Sequence, residues 1–245
     1  NGVYLTLSHL GEELINEKLP GIREISIKFA NVDPVKEPVP VVPTVHYMMG
    51  GIPTTLNGQV RDGVKQKEVN GFYAVGECAC VSVHGANRLG SNSLLDLIVF
   101  GKAAGQHILD SSKGKKLKKL PNDVTKKTIE RLKKIDSKSS LEDPRELGEE
   151  LRAVMQKHCG VFRFPQLLNE GLVKVNELKQ RIENISIKDN SKVFNTARTE
   201  ALELQNLIEV ALATMASAKN REESRGAHSR SDYPKRDDNS WLKHS

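Results

Sequence analysis

The stretch from Cys80 to Gly105 constrains this chain more than any other. It passes from a polar, glycine-rich loop, Val83-His84-Gly85-Ala86-Asn87-Arg88-Leu89-Gly90, into Ser91-Asn92-Ser93-Leu94-Leu95-Asp96 and an apolar run. One His, one Arg and two Asn stand beside that run, and such groups are costly next to buried structure unless they have partners. Asn92-Ser93 is a good cap pair, so a helix is expected to open there. Leu94, Leu95, Ile98 and Val99 cover most of its faces, with Ala103, Ala104 and Gly105 further on. A helix apolar on most sides is expected to be buried. Its first turn would then point unpaired N–H groups and partial positive charge at whatever the loop encloses, a place for an anion or an electron-rich ring edge. The plainer reading is a capped core helix after an ordinary loop.

No apolar run in the 245 residues approaches a membrane span, and no signal-peptide pattern opens the chain. Cys78, Cys80 and Cys159 are an odd number without zinc-ligand spacing, which suits a reducing compartment better than a disulfide framework. The net charge of +6 is local. Ser111–Ser140 holds ten Lys and one Arg against three acids, a net of +8, so the remainder sums to −2. The run has no aromatic interleaving and reads as a Lys-rich linker rather than a base-stacking surface. The start at Asn1 and the stop at Ser245 read as the bounds of a piece of a longer protein.

Leu10, Leu14 and Leu19 predict a helix stopped by Pro20-Gly21, and Ile22, Ile25, Ser26 and Phe29 predict a second short one. Four prolines from Pro34 to Pro43 predict an extended, stiff crossing. Thr44–Met48 favours a strand, Asn57-Gly58 a hairpin turn, and Phe72–Val75 a short buried strand running into Gly76-Glu77. A carboxylate at a strand's carboxyl end lies where open α/β sheets bind ligands, although a solvated turn Glu reads the same. From residue 123 to 220 the pattern is helical. Asp143-Pro144-Arg145-Glu146 is a start signal before Leu147, Leu151, Val154 and Met155. Pro165 opens a second stripe, Leu168, Leu172, Val175, Leu178 and Ile182. A third runs through Leu204, Leu207, Ile208, Ala211, Leu212, Met215 and Ala218. These predict an antiparallel three-helix bundle whose Leu and Met residues are core, with His158 and Cys159 structural. The Arg/Asp/Glu alternation from Arg221 to Asp238 fits a solvated linker, an ion-pair network or an active-site rim.

Four motifs in order now carry a resemblance: Thr44–Thr54 with His46-Tyr47-Met48-Met49-Gly50-Gly51, Ala74-Val75-Gly76-Glu77, His84–Asp96, and Glu223-Ser224-Arg225-Gly226-Ala227-His228. Together they resemble the flavoprotein subunits of the succinate dehydrogenase and fumarate reductase group over essentially the whole chain. The implied fold is α/β plus all-α, the C-terminal part of an FAD-binding α/β domain followed by the helical bundle. The implied segments are 1–43, the end of the capping (substrate-lid) domain; 44–112, the end of the FAD-binding domain; 113–228, basic linker and bundle; and 229–245, the start of a truncated C-terminal domain.

The resemblance implies FAD as cofactor, with Glu77 at its ribityl region and Asn92, Ser93 and Leu94 at the pyrimidine edge of the ring. It implies His46 and Arg88 as the grip on a dicarboxylate, with Ser91 beside them. The planar fork of Arg suits a carboxylate, and His can donate to the other one. Implied chemistry is oxidation of succinate to fumarate, with hydride passing to flavin and electrons to an iron–sulfur subunit and on to quinone through membrane anchors. The family's Gly-rich fingerprint, covalent flavin His and acid/base Arg would lie upstream, so no catalytic residue or independent activity is expected within this chain; carbonyls around Tyr47, Met48, Glu77 and Ala79 resemble a structural alkali-ion site in relatives, and no side-chain metal ligand is assigned. Implied placement is peripheral, on the cytoplasmic face of a bacterial inner membrane or the matrix face of the mitochondrial one, without nucleic acid. Fumarate reductase and L-aspartate oxidase are alternatives within the chemistry, separable by reaction direction and by aspartate turnover. A non-catalytic helical or basic binding module is the alternative from another class, and salt-dependent nucleic-acid binding would be its mark.

Overall fold

The computed structural model describes residues 3–42, 46–63, 65–116, 119–137 and 142–245, in two compact units, residues 1–51 and 52–245. In the first unit, β1 (Val3–Leu5) pairs antiparallel with β2 (Val39–Val41). Between them lie α1 (Glu12–Lys18) and α2 (Pro20–Ile25), which continues as a π-helical turn over Ser26–Ala30. Pro20 begins the second helix as well as ending the first, because the initial position needs no N–H. Arg23 fastens the unit, its Nε and Nη2 donating to the two Asp33 carboxylate oxygens at 3.1 and 2.9 Å. That fork holds the Asp33 carboxyl below its ordinary range. Of the expected strand Thr44–Met48, Thr44 and Val45 lie outside the described residues, and His46, Tyr47 and Met48 have no regular structure.

The second unit opens with β3 (Ile52–Pro53), β4 (Gln59–Arg61) and β5 (Glu68–Tyr73), followed by a 3-10 turn at Gly76–Cys78 and β6 (Ala79–Cys80). The described strands associate only in pairs, β3 parallel to β6 and β4 antiparallel to β5. Asn57-Gly58 does form the expected turn, with the Gly58 N–H donating to the Thr55 carbonyl and the Thr55 N–H to that of Gln59. The strand expected at Phe72–Val75 differs. It begins at Glu68 and leaves Phe72 exposed, because β4 gives it a partner on one edge and no layer covers that side chain.

Next come α3 (Asn92–Ser112), α4 (Lys126–Asp136), α5 (Pro144–His158), β7 (Phe162–Arg163), α6 (Pro165–Ile182), α7 (Thr196–Asn220), β8 (Ser229–Arg230) and α8 (Asp238–Trp241). Helices α5, α6 and α7 pack on one another around a single core containing Leu147, Leu151, Leu168, Val175, Ile208 and Met215. Asp143 caps α5, its side chain accepting from the Arg145 N–H at 2.9 Å, as its sequence signal predicts. Gly171 lets α6 approach α5, since a Cβ there would fall 2.5 Å from that of His158. His158 is itself buried, its Nδ1 donating to the Leu167 carbonyl at 3.1 Å, and burial pushes the neighbouring Cys159 thiol up. Leu207 is exposed, off the stripe that Leu204 and Ile208 bury.

Part of the basic stretch is not a linker. Residues 126–136 form α4, which buries Ile135 and lies on α7 through Arg131, whose Nε donates to the Gln205 side chain at 2.6 Å. Ile185 and Ile187, in the connection between α6 and α7, are buried too, and the Ile187 N–H donates to the Ile135 carbonyl. No described helix is long and apolar enough to cross a membrane.

Candidate functional site

The loop before α3 is built from polar ties. Residues 85–87 and 89–91 are exposed, whereas His84 and Arg88 are part-buried. His84 Nε2 lies 2.8 Å from Asp96 Oδ2, and Arg88 Nε donates to Ser93 Oγ at 2.5 Å. Both ties run from loop to the first two turns of α3.

The helix start differs from the expected cap pair. Ser91 takes the N-cap position in left-handed geometry, φ +66°, and its side chain caps nothing. Asn92 and Ser93 are the first two helical residues. Ser93 is drawn away from capping by Arg88, and the Asn92 N–H donates to the Leu89 carbonyl. Burial also inverts the expectation. Leu94, Leu95, Ile98 and Val99 are exposed, Leu94 at 67%, while Asp96 and Ala104 are the buried residues of α3. Ala104 is buried because it meets the hairpin turn, where a Cβ at Gly58 would lie 3.0 Å from its own.

Glu77 is exposed in the 3-10 turn at Gly76–Cys78. Gly76 decides where that turn sits. Its φ is +83°, and a Cβ there would fall 2.2 Å from Leu97 Cδ2, so only glycine lets α3 close on the turn. Glu77 and the α3 N-terminus are thus parts of one packed piece, joined by the Gly76–Leu97 contact. His46 belongs to the first unit, where it is exposed.

The charged stretch after α7 resolves as an ion-pair network. Glu223 is fully buried, and accepts from Arg221 Nη1 at 2.5 Å, Arg225 Nε at 2.6 Å and the Asp237 N–H at 2.9 Å. The Arg225 guanidinium, chiefly, holds its carboxyl down at about 2. Arg230 pairs with Asp232 and donates to the Ala218 and Lys219 carbonyls at the end of α7. Arg163 Nη1 contacts His228 Nδ1, and His228 Nε2 donates to the Arg221 carbonyl at 3.1 Å. Burial, with Arg163, Arg230 and Arg221 nearby, keeps that imidazole below its ordinary value.

This network reaches the loop of Arg88. Gly226 stands at the tip of a turn closed by Arg225 and His228 and touches Ala86, and Ser82 Oγ lies 3.0 Å from His244 Nε2. The sequence offers Arg88 and Ser93 as separate candidates; their direct bond, the pairing of Asp96 and the seat of Gly226 are added by the structure. A His and an Asp bracketing a polar loop were the available signal for the second. Among the described residues no cluster of His, Cys, Asp and Glu could hold a metal ion, and the three cysteines are unpaired.

The profile of an FAD binding domain matches residues 1–94, and that of the fumarate reductase flavoprotein C-terminal region matches residues 148–245. The succinate dehydrogenase flavoprotein subunit of Coxiella burnetii is 52% identical over 99% of this chain and 42% of its own length. The fumarate reductase flavoprotein subunit of Haemophilus influenzae is 40% identical over 99% of the chain and 40% of its own. In structure, Escherichia coli quinol fumarate reductase matches with a TM-score of 0.89 at 40% identity, over 99% of this chain and 41% of that one. Mycobacterium smegmatis Sdh1 in complex with UQ1 matches with a TM-score of 0.81 at 32% identity, over 96% and 38%. The chain spans about two-fifths of the length of the curated relatives it matches. It belongs to the succinate dehydrogenase and fumarate reductase family of flavoproteins.

Proposed function

We propose that this chain is part of a succinate dehydrogenase flavoprotein subunit, supplying one side of the flavin site and the arginine that grips the dicarboxylate. The observation that carries the reading is the Arg88–Ser93 bond, which sets a guanidinium against the first turn of α3, a helix start that the N-cap side chain does not cap. Those residues fit FAD. The positive end of the α3 dipole favours negative charge on a ring edge, and exposed Leu94 and Leu95 offer apolar surface for a flat ring. FAD, when bound, supplies the acceptor for the hydride that leaves succinate. Glu77 is assigned to the ribityl region, Asn92, Ser93 and Leu94 to the pyrimidine edge, and His46, Arg88 and Ser91 to the dicarboxylate. Arg88 binds a carboxylate by parallel N–H donors, and its tie to Ser93 limits rotation of the fork. No proton-transfer role is assigned within these residues.

The finer architecture follows the same reading: the end of an FAD-binding α/β domain, then α5, α6 and α7 as an antiparallel three-helix bundle. Partners are an iron–sulfur subunit and membrane anchors, with peripheral placement on the inner membrane of bacterium or mitochondrion. The test is the visible spectrum of the complete flavoprotein purified with FAD, titrated with malonate. A flavin band that persists through gel filtration and shifts with malonate is expected, and a flavin-free protein indifferent to malonate contradicts the assignment. Fumarate reductase is the second reading, favoured by the structural match to the quinol enzyme. Faster fumarate reduction than succinate oxidation would select it.

A further inference from the structure

Asp96 is the wrong residue for its place unless it has a task. Its side chain is 6% exposed, whereas its apolar neighbours Leu94, Leu95, Leu97 and Ile98 face outward. A buried carboxylate costs stability unless it is paired, and an apolar residue of similar volume would serve packing as well or better. Its partner is His84, the first part-buried residue of a loop that otherwise lies exposed apart from Arg88. That loop has no apolar anchor of its own between residues 84 and 91. Two side-chain ties run from it to α3, His84 to Asp96 at 2.8 Å and Arg88 to Ser93 at 2.5 Å, and they bracket residues 85–87, where Ala86 also meets Gly226.

We propose that the His84–Asp96 pair is a positioning device that fixes the loop so that Arg88 is aimed at the dicarboxylate. The inference rests on the assignment of Arg88 to that ligand. His84 and Asp96 act through Arg88. With the first tie cut, the loop loses one of its two side-chain ties to α3, and a displacement of about 1 Å is enough to misalign a two-pronged carboxylate contact. The loss falls on substrate binding, so it enters KM before kcat.

The test uses the complete flavoprotein with its flavin bound, malonate as the probe, and the Asp96→Ala, Asp96→Asn, His84→Ala and Arg88→Lys variants. Asp96→Ala is expected to raise the malonate Kd and the succinate KM about 10-fold or more, with kcat per bound flavin within about threefold. Asp96→Asn is expected to return both to within about threefold of wild type, because the amide oxygen still accepts from His84 Nε2. An unchanged malonate Kd in the flavin-loaded fraction of Asp96→Ala overturns the proposal, since a purely structural role lowers the amount of loaded protein and not its affinity. Should Asp96→Ala fail to fold, His84→Ala carries the same criterion. Arg88→Lys separates the two levels. If it binds malonate as wild type does, the dicarboxylate assignment falls and the positioning role with it. If it binds weakly while the Asp96 and His84 variants bind normally, the positioning role alone is overturned.

Discussion

Gly226 lies against the backbone of Ala86: a Cβ built on it would stand 2.9 Å from the Ala86 carbonyl oxygen and 3.0 Å from the Ala86 Cβ. The contact joins the ion-paired turn after α7 to the loop that carries Arg88. Gly226 also has φ +60°, a conformation unfavourable for other residues. Gly226→Ala is therefore expected to cost about 1–3 kcal/mol and to displace the loop. Thermal denaturation measures the first effect and succinate KM the second; a variant that melts and binds like wild type contradicts the contact's importance.

Glu223 anchors the same turn. Glu223→Ala leaves Arg221 and Arg225 without their shared buried carboxylate, and breaking such a pair costs about 3–5 kcal/mol. Denaturant unfolding checks this. Glu223→Gln, which keeps the shape and some of the hydrogen bonds, should lie between the alanine variant and wild type.

The same groups set the response to acid. The Glu223 carboxyl is held down at about 2, so its stabilisation is complete above the ordinary carboxylate range and is lost as pH falls toward 2. His228 is also pushed down, so folding favours its neutral form, and protonation below its ordinary value opposes the fold. Stability is expected to decline first as pH drops below about 6.5 and again below about 4.5. Melting curves across pH, compared with Glu223→Gln, should show the second decline flattened in the variant.

Gly76→Ala is expected to separate the turn bearing Glu77 from α3. The added methyl would meet Leu97 in a backbone conformation unfavourable to alanine. Flavin content should fall, whereas Leu168→Ala, in the core of α5, α6 and α7, should cost about 2–5 kcal/mol and spare flavin affinity in the folded fraction. Flavin content and unfolding free energy together distinguish the two.

The helical half was the most legible part of the sequence. Local signals do the work there: Asp143 caps, Pro144 and Pro165 open helices, and the stripes of α5, α6 and α7 are buried or part-buried with Leu207 as an exception. Around α3 the signal misled. An apolar run such as Leu94–Val99 says that a helix can be covered, and nothing in its periodicity says which residues of these 245 do so. The strand at Glu68–Tyr73 starts before the apolar signal at Phe72–Val75, because its early residues are polar and only the hairpin pairing with β4 defines them. The site motif was legible as residue types. The His84–Asp96 and Gly226–Ala86 contacts span 12 and 140 positions and depend on packing that composition does not encode.

The most direct measurement is succinate turnover by the complete flavoprotein carrying Arg88→Lys, with bound flavin quantified. A lysine keeps the charge and loses the fork, and a hydrogen bond to a charged group is worth about 1.5–3 kcal/mol, so kcat/KM should fall about 10- to 100-fold with flavin retained. Unchanged kcat/KM would contradict the claim that the loop before α3 presents the dicarboxylate grip.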